Sequence, residues 1–309
     1  MILSVSRRTD IPAYYSQWFI NRLKAGFVYI RNPMNNAQVS KVALNTVVVD
    51  CIVFWSKNPE PLLGKLDIID SMGYKYYFQF TITPYNKDIE TALVNKRQII
   101  DTFVRLSSKI GRQKVIWRYD PIIINDQFSI EYHIDSFYKL ASKLSGYTDE
   151  CIISFVDRYR KTNKYNIIRD ITETEMNRIA EGFSEIAAQK RLTIKICAEK
   201  IDLSKYNIQH ASCIDRDKIE SIINAPLMDK VKRDGQRKDC GCIECIDIGA
   251  YNTCKNGCFY CYASFNRGLS EKNYKMHNPD SPLLIGSPGD VNVSERKVKS
   301  LKKDDKCKL

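Results

Sequence analysis

The sequence predicts an α/β fold in which helices cover a parallel sheet that is either open or curled toward a barrel. Short runs of β-branched and aromatic residues recur along the 309-residue chain, and segments with helical periodicity lie between most of them. Hydrophobic residues make up 44% of the chain and charged residues 27%, which is the balance of a globular protein. No solenoid-type repeat is visible, and no Pro/Gly/Ser-rich linker precedes about residue 229. We therefore expect one domain with a cysteine-rich C-terminal section.

The elements follow one another along the chain as alternating strands and helices. The strand-like runs are, in order, 2–6, 50–56, 75–82, 114–120, 151–156 and 192–198. Segment 27–49 is β-rich around an Asn-rich turn and is expected to form an excursion outside the alternation. Helical periodicity covers 13–26, 87–111 and 172–191, and the last of these opens with Thr172 and Glu175 in a capping-box arrangement.

Composition and charge restrict the class of protein. The apolar runs are too short to span a bilayer, and the first residues lack the apolar stretch and cleavage site of a signal peptide. We therefore expect a cytoplasmic protein with no membrane partner. The net charge of +12 is compatible with an acidic partner such as nucleic acid, although part of it lies in the basic tail and general solubility explains it as well.

Polar side chains follow nearly every predicted strand at its C-terminal end, where parallel sheets gather their ligands. Each of them alone is typical of a helix cap or a salt bridge. Together they predict a pocket for an anionic or zwitterionic ligand, since paired arginines bind carboxylate or phosphate groups well. The candidate binding residues at these strand ends are Arg7, Arg8, Asp10, Ser56, Lys57, Arg118 and Asp120.

Cys254, Cys258 and Cys261 form a C-x3-C-x2-C motif near the end of the chain, one with no matching pair of histidines. The chain has eleven cysteines, but neither its size nor its N-terminus suits a secreted disulfide framework, so metal ligation is the better interpretation. A zinc site usually closes with a second pair of ligands. A [4Fe–4S] cluster usually takes four cysteines, so three would leave one iron open to a small molecule.

A second group of cysteines lies upstream of this motif. Four thiolates could hold an auxiliary iron–sulfur cluster or a structural zinc ion, although a C-x-C spacing is unusual for either. Reduced structural thiols are the alternative. The candidate ligands of this second site are Cys197, Cys213, Cys240 and Cys242.

The three-cysteine motif resembles that of the radical S-adenosylmethionine superfamily, in which an aromatic residue precedes the last cysteine, as Tyr260 does here. The wider string YNTCKNGCFYCYA resembles the spore-photoproduct-lyase-like (DNA repair photolyase-like) branch. The resemblance implies a [4Fe–4S] cluster that binds S-adenosylmethionine and cleaves it reductively to a 5′-deoxyadenosyl radical, which abstracts hydrogen from a substrate. It also implies a flavodoxin- or ferredoxin-like reductant protein. With the basic charge, it favours a nucleic acid or nucleotide substrate.

The superfamily normally carries this motif after the first strand of a partial (β/α) barrel of the TIM type. Here the corresponding strand would be 244–251, placed last, so the resemblance implies a circular permutation. Residues 1–228 would form the barrel body, 229–275 the cluster-binding section that completes it, and 276–309 a C-terminal loop and basic tail. The Gly-Gly-Glu often found beside the cluster in this superfamily is missing from the sequence.

The chain as a whole also resembles a bacterial family known as domain of unknown function 1848. The matching features include SRRTDIPA, FWSKNP, WRYDPI, QRKDCGC and DIGAYNTCKNGCFYCYA. This likeness implies the cysteine cluster but no particular activity.

The other function that we consider is a non-catalytic zinc-binding protein with a basic surface for nucleic acid. Such a protein would not need polar groups at the strand ends of a barrel.

Overall fold

The computed structural model describes residues 1–158, 168–234, 240–289 and 292–303. Within these ranges the strands are β1 (Ile2–Val5), β2 (Phe27–Asn32), β3 (Asn35–Ala43), β4 (Cys51–Ser56), β5 (Tyr76–Thr81), β6 (Val115–Ile122), β7 (Glu150–Phe155), β8 (Thr193–Cys197), β9 (Gln209–Ala211), β10 (Cys245–Asp247) and β11 (Val293–Glu295). The helices are α1 (Ile11–Tyr14), α2 (Ser16–Ala25), α3 (Glu60–Leu63), α4 (Leu66–Ser71), α5 (Lys96–Ile110), α6 (Ile130–Leu144), α7 (Glu173–Lys190), α8 (Arg216–Ile223) and α9 (Arg267–Lys275).

Eight strands form one parallel sheet in the order β10-β1-β4-β5-β6-β7-β8-β9. Leu3 of β1 lies opposite Ile52 of β4 on one side and Ile246 of β10 on the other. The strand that precedes the C-x3-C-x2-C motif is therefore the neighbour of the first strand in the chain. The α/β class and the parallel sheet are confirmed.

The sheet formed by the described strands is open, with β10 at one edge and β9 at the other. Beyond the strands, however, the two edges meet. The backbone N–H of Ile243, just before β10, donates to the carbonyl of Ile214, just after β9, at 3.1 Å. The chain segments that flank the two edge strands are therefore in direct contact, although no ladder closes the sheet within the described ranges.

Each face of the sheet has its own hydrophobic core, because both faces of a parallel sheet are normally covered. The larger core joins outward side chains such as Phe54 and Trp117 to helices α2, α5, α6 and α7. The smaller core joins the opposite face, with Val53 and Tyr77, to α8 and the segment that ends at Ile243.

Two of the predicted helices need correction. Helix α7 has the predicted capping box, but segment 13–26 is divided at Tyr15 into α1 and α2. Segment 87–111 is helical only from Lys96 onward, where Asn95 caps the helix through a bond from the Gln98 amide. The preceding residues form turns that pack on the cysteine loop, and these long-range contacts outweigh their helical periodicity.

Outside the main sheet, β11, β3 and β2 form a small sheet that contains the predicted β-rich excursion. The loop after α9 packs on α2, where Trp18 Nε1 donates to the Ser281 carbonyl and Arg22 to the Asp280 carbonyl. None of the helices in the described ranges is long and apolar enough to cross a membrane.

Candidate functional site

A cavity of about 280 Å³ lies at the C-terminal edge of the parallel sheet. It receives the ends of β1, β4, β6, β7 and β8 and the loop that follows β10, as expected for a parallel α/β sheet. Every candidate residue from the sequence lines it, namely Arg7, Arg8, Asp10, Ser56, Lys57, Arg118, Asp120, Tyr260 and the cysteines 254, 258, 261, 197, 213, 240 and 242. The two cysteine groups therefore share one cavity.

Helix α1 and its cap hold one side of the cysteine loop, which we define as residues 252–264. Buried Asp10 caps α1 and accepts hydrogen bonds from Ser56 Oγ at 2.7 Å and from Asn256 Nδ2 at 3.1 Å. Tyr14 donates its hydroxyl proton to Asn256 Oδ1 at 2.7 Å, and Tyr15 donates to the Thr253 carbonyl at 2.6 Å. The N-terminal strand end and the cysteine loop are thereby joined across about 240 residues of sequence.

The turn at residues 89–92 holds the other side of the loop. The Phe259 amide donates to the Ile89 carbonyl at 3.1 Å, and the Ala92 amide donates to the Asn256 carbonyl at 3.2 Å. Gly257 adopts a positive φ of 67°, and a Cβ there would lie 2.2 Å from Thr91 Oγ1. Glycine at this position permits the close approach of the two segments.

Glu90 is the residue of this turn with the most contacts to the site, and sequence reasoning did not identify it. Its carboxylate is 1% exposed and accepts hydrogen bonds from Tyr260 Oη at 2.5 Å, Lys57 Nζ at 2.7 Å and Thr83 Oγ1 at 2.6 Å. Lys96 Nζ lies 3.0 Å from its other oxygen. Although burial alone would raise the pKa of Glu90, the two ammonium groups lower it to about 2. The motif tyrosine is thus fixed by a fully charged, buried acceptor.

The three thiols of the C-x3-C-x2-C motif are half-buried and face the cavity. Burial raises the pKa of each thiol, so all three remain protonated unless a cation displaces the protons. No three His, Cys, Asp or Glu side chains in the described ranges surround a common point as the ligands of a single metal ion would. Three thiols without a fourth protein ligand suit a [4Fe–4S] cluster with one open iron better than a structural zinc ion, which takes four ligands.

Three buried polar atoms of cavity-lining residues lack hydrogen-bond partners among the described residues. They are Arg7 Nε, Arg8 Nε and Thr9 Oγ1, although the Arg7 guanidinium has a carboxylate partner through another of its atoms. Arg8 forms no ion pair with the described residues, and its guanidinium stacks 5.4 Å from the Tyr251 ring centre. A ligand with an anionic or carbonyl oxygen would satisfy these donors, because buried polar groups are normally hydrogen-bonded.

The other cationic residues of the cavity are already paired. Arg7 lies 2.5 Å from Asp234, and its backbone N–H donates to Asp247 at 2.8 Å. Asp247 also accepts from Ser4 Oγ at 2.8 Å and Ser6 Oγ at 2.6 Å. Asp247 orients the loop after β1, a role that sequence reasoning missed. The signal that could have found it is an acidic residue inside an otherwise apolar strand.

The second group of cysteines lies in series along one wall of the cavity. Cys197 Sγ is 2.9 Å from Cys213 Sγ, and Cys213 interacts with Cys242, which in turn interacts with Cys240. Arg118 Nη1 donates to Cys213 Sγ at 2.7 Å, and its other nitrogen pairs with Asp120. Hydrogen bonds from the neighbouring thiols, together with Arg118, lower the pKa of Cys213.

Three further described cysteines lie outside both groups, and one of them, Cys51, is buried in β4 within the smaller core. Cys245, at the start of β10, accepts a hydrogen bond from Arg7 Nη2 at 3.1 Å. Cys151 is buried in β7 within the larger core. The described cysteines are all free thiols.

Comparison with known proteins gives a family and no activity. Residues 2–263 match the sequence model of a family described as Domain of unknown function (DUF1848). No curated protein matches the chain. Among solved structures, the chain is similar to a crystal structure described as a "putative alpha-L-fucosidase" from Bacteroides thetaiotaomicron VPI-5482, with 12% identity, 74% of this chain and 83% of that chain covered, and a TM-score of 0.27. A likeness at that TM-score supports no conclusion about activity.

Proposed function

The chain belongs to the DUF1848 family, and we propose that it is a radical S-adenosylmethionine enzyme. One observation carries the proposal: the thiols of Cys254, Cys258 and Cys261 face one cavity that also contains unpaired polar groups. Three cysteines without a fourth ligand suit a [4Fe–4S] cluster with one iron free for a small molecule. When bound, the cluster would supply the electron that cleaves S-adenosylmethionine and so starts hydrogen abstraction from a substrate.

The protein's own part in this function is to hold and orient. Cys254, Cys258 and Cys261 would bind the cluster, on a loop that is fixed by α1 on one side and by the turn at 89–92 on the other. Tyr260, immobilised by Glu90, forms a rigid wall beside the thiols. A substrate that fills the cavity would exclude water from the cluster, and water would otherwise quench a reactive intermediate.

Arg8 and Thr9 are the residues that we assign to ligand recognition. Their unpaired donors suit the carboxylate and hydroxyl oxygens of S-adenosylmethionine or of an anionic substrate. Arg7, Lys57 and Arg118 already have carboxylate partners and would act mainly by shaping the cavity electrostatically. Arg8 and Thr9 would thus bind the ligand in place of the Gly-Gly-Glu motif, which the sequence lacks.

The finer features of the proposal follow from the same likeness. We take the parallel sheet as a partial TIM-type barrel, circularly permuted so that β10 is the first strand of the usual order. Contact between the chain segments at its two edges supports a curled sheet. The net charge of +12 supports a nucleic acid or nucleotide as the substrate. A flavodoxin- or ferredoxin-like protein in the cytoplasm would donate the electron.

The test is reductive turnover by the reconstituted protein. After anaerobic loading with iron and sulfide, the protein plus dithionite and S-adenosylmethionine should yield 5′-deoxyadenosine and methionine. Cys258→Ala should abolish the product, whereas Cys151→Ala, a buried cysteine outside the cavity, should retain it. The proposal fails if no 5′-deoxyadenosine forms and S-adenosylmethionine leaves the electron paramagnetic resonance of the cluster unchanged. One zinc at these three cysteines would favour the non-catalytic zinc-binding, nucleic-acid-binding alternative.

A further inference from the structure

The second cysteine group joins parts of the chain that are distant both in sequence and in the sheet. Cys197 ends β8, and Cys213 follows β9 at the same edge of the sheet. Cys240 and Cys242 belong to the segment that leads into β10 at the opposite edge. The series of thiol contacts therefore bridges the two edges of the open sheet.

These thiols belong to or pack against the smaller hydrophobic core, but some of them also accept hydrogen bonds, as the sulfurs of a metal–thiolate site do. Two N–H groups donate to the sulfurs: Arg118 Nη1 to Cys213 Sγ at 2.7 Å, and the Ile214 amide to Cys242 Sγ at 3.3 Å. Such donors stabilise negative charge on sulfur and orient metal ligands. The Cys213 carbonyl is also fixed, because Tyr77 Oη and Gln79 Nε2 donate to it at 2.9 and 2.8 Å.

The distance between two of the sulfurs can be compared with that in the possible arrangements. The Cys197–Cys213 separation of 2.9 Å lies between the roughly 2.05 Å of a disulfide bond and the wider spacing of two thiolates on one zinc ion. Two thiolates on one tetrahedral zinc ion, with Zn–S bonds of about 2.3 Å, lie about 3.8 Å apart. A shift of about 1 Å therefore converts this contact into a zinc-bound pair. A cubic cluster holds each thiolate on a different iron and spreads the sulfurs further apart.

We propose that Cys197, Cys213, Cys240 and Cys242 bind a single zinc ion that connects the two edges of the sheet. Each thiol that binds loses its proton to solvent, and the guanidinium of Arg118 offsets part of the resulting negative charge. In the described ranges these thiols do not surround one point, so zinc binding requires their side chains to rearrange, and the Cys197 and Cys213 sulfurs must move apart by about 1 Å. The ion would contribute structure rather than chemistry, because four protein thiolates leave no open position.

The experiment separates this site from the first one. The triple variant Cys254→Ala, Cys258→Ala, Cys261→Ala removes the iron–sulfur motif, so failure of the radical chemistry has no bearing on the result. Purified without chelators under reducing, anaerobic conditions, it should contain about one zinc ion per chain by mass spectrometry of the metal. Replacing that zinc with cobalt(II) should give the visible bands of tetrahedral thiolate coordination.

Matched variants in the triple background assign the ligands. Adding Cys213→Ser or Cys240→Ser should abolish zinc and lower the melting temperature, whereas adding Cys151→Ala should leave the zinc content unchanged. Cys240 is only half-buried, so we expect its substitution to disturb the packing less than that of the buried Cys213. The proposal is overturned if the triple variant holds no zinc, if it binds four irons instead, or if mass spectrometry finds a Cys197–Cys213 disulfide.

Discussion

Replacing Glu90 with glutamine should destabilise the protein far more than an ordinary loss of surface charge. The side chain is 1% exposed and lies between two ammonium groups, with Lys57 Nζ at 2.7 Å and Lys96 Nζ at 3.0 Å. Glutamine keeps the shape but presents N–H groups to donors and leaves both lysines without a buried counter-charge. Removing one member of a buried ion pair typically costs about 3–5 kcal/mol.

The pKa of Glu90 gives a second route to the magnitude. The pKa falls from 4.5 to about 2 on folding, and each tenfold change in acidity corresponds to about 1.4 kcal/mol, so the charged form contributes about 3 kcal/mol. For 309 residues, at about 2.1 cal/mol/K of unfolding entropy per residue, this lowers the melting temperature by about 5 °C. Because the folded pKa is the lower one, the contribution is present above about pH 5 and disappears as the pH falls toward 2.

The assay is thermal unfolding of the metal-free protein, followed by circular dichroism at several pH values. Glu90→Gln should melt about 5 °C below the parent at pH 7, and the difference should shrink as the pH falls below about 5. Glu295→Gln is the matched control, since Glu295 pairs with Lys41 on the surface and is 81% exposed; its melting temperature should not change measurably. Equal melting temperatures for Glu90→Gln and the parent, or a difference that grows in acid, would refute the reasoning.

Three further substitutions test other parts of the fold. Gly257→Ala should destabilise the protein by about 1–3 kcal/mol more than Gly286→Ala. Both glycines have a positive φ, but only a Cβ at Gly257 would clash with another residue, Thr91. Equal denaturant midpoints for the two variants would contradict this. Burial lowers the pKa of His133 from 6.5 to about 4, so stability should fall by about 3 kcal/mol as the pH drops through that range; His133→Gln should remove this slope in urea unfolding, and an unchanged slope would assign it to other groups. Asp247→Asn should cost about 2 kcal/mol, because an amide presents donors to Ser4 and Ser6, and an unaltered melting temperature would show that Asp247 does not organise the loop.

Local sequence patterns predicted the strands of the main sheet well. A strand of a parallel sheet that is covered on both faces is a nearly continuous run of apolar residues. Segments 50–56 and 151–156 have this pattern, and both form buried strands. The capping box at Thr172 was equally local and is confirmed. Position at a strand end also located the polar residues of the cavity, since parallel strands bring their C-terminal ends to one edge.

Contacts between distant segments could not be predicted in this way. Glu90 lies in a segment with helical periodicity, and its partner Tyr260 is 170 residues away. Residues before Lys96 are not helical, because their backbone groups form hydrogen bonds with the cysteine loop instead and the Glu90 carboxylate is buried there. The solvent-exposed first turn of a helix would not provide these contacts. The bond between Asp10 and Asn256 likewise depends on the pairing of β1 with β10, which is a property of the fold rather than of either segment.

The two cysteine groups also differ in how they should be linked to folding. Cys254, Cys258 and Cys261 lie within eight residues, so an unfolded chain can still present them to iron. A ligand that also binds the unfolded chain stabilises the fold less than its affinity suggests. The second group spans positions 197 to 242 and comes together only when both sheet edges are in place. Its metal would therefore bind the folded state selectively, and zinc should raise the melting temperature of the triple variant while iron and sulfide have little effect on it.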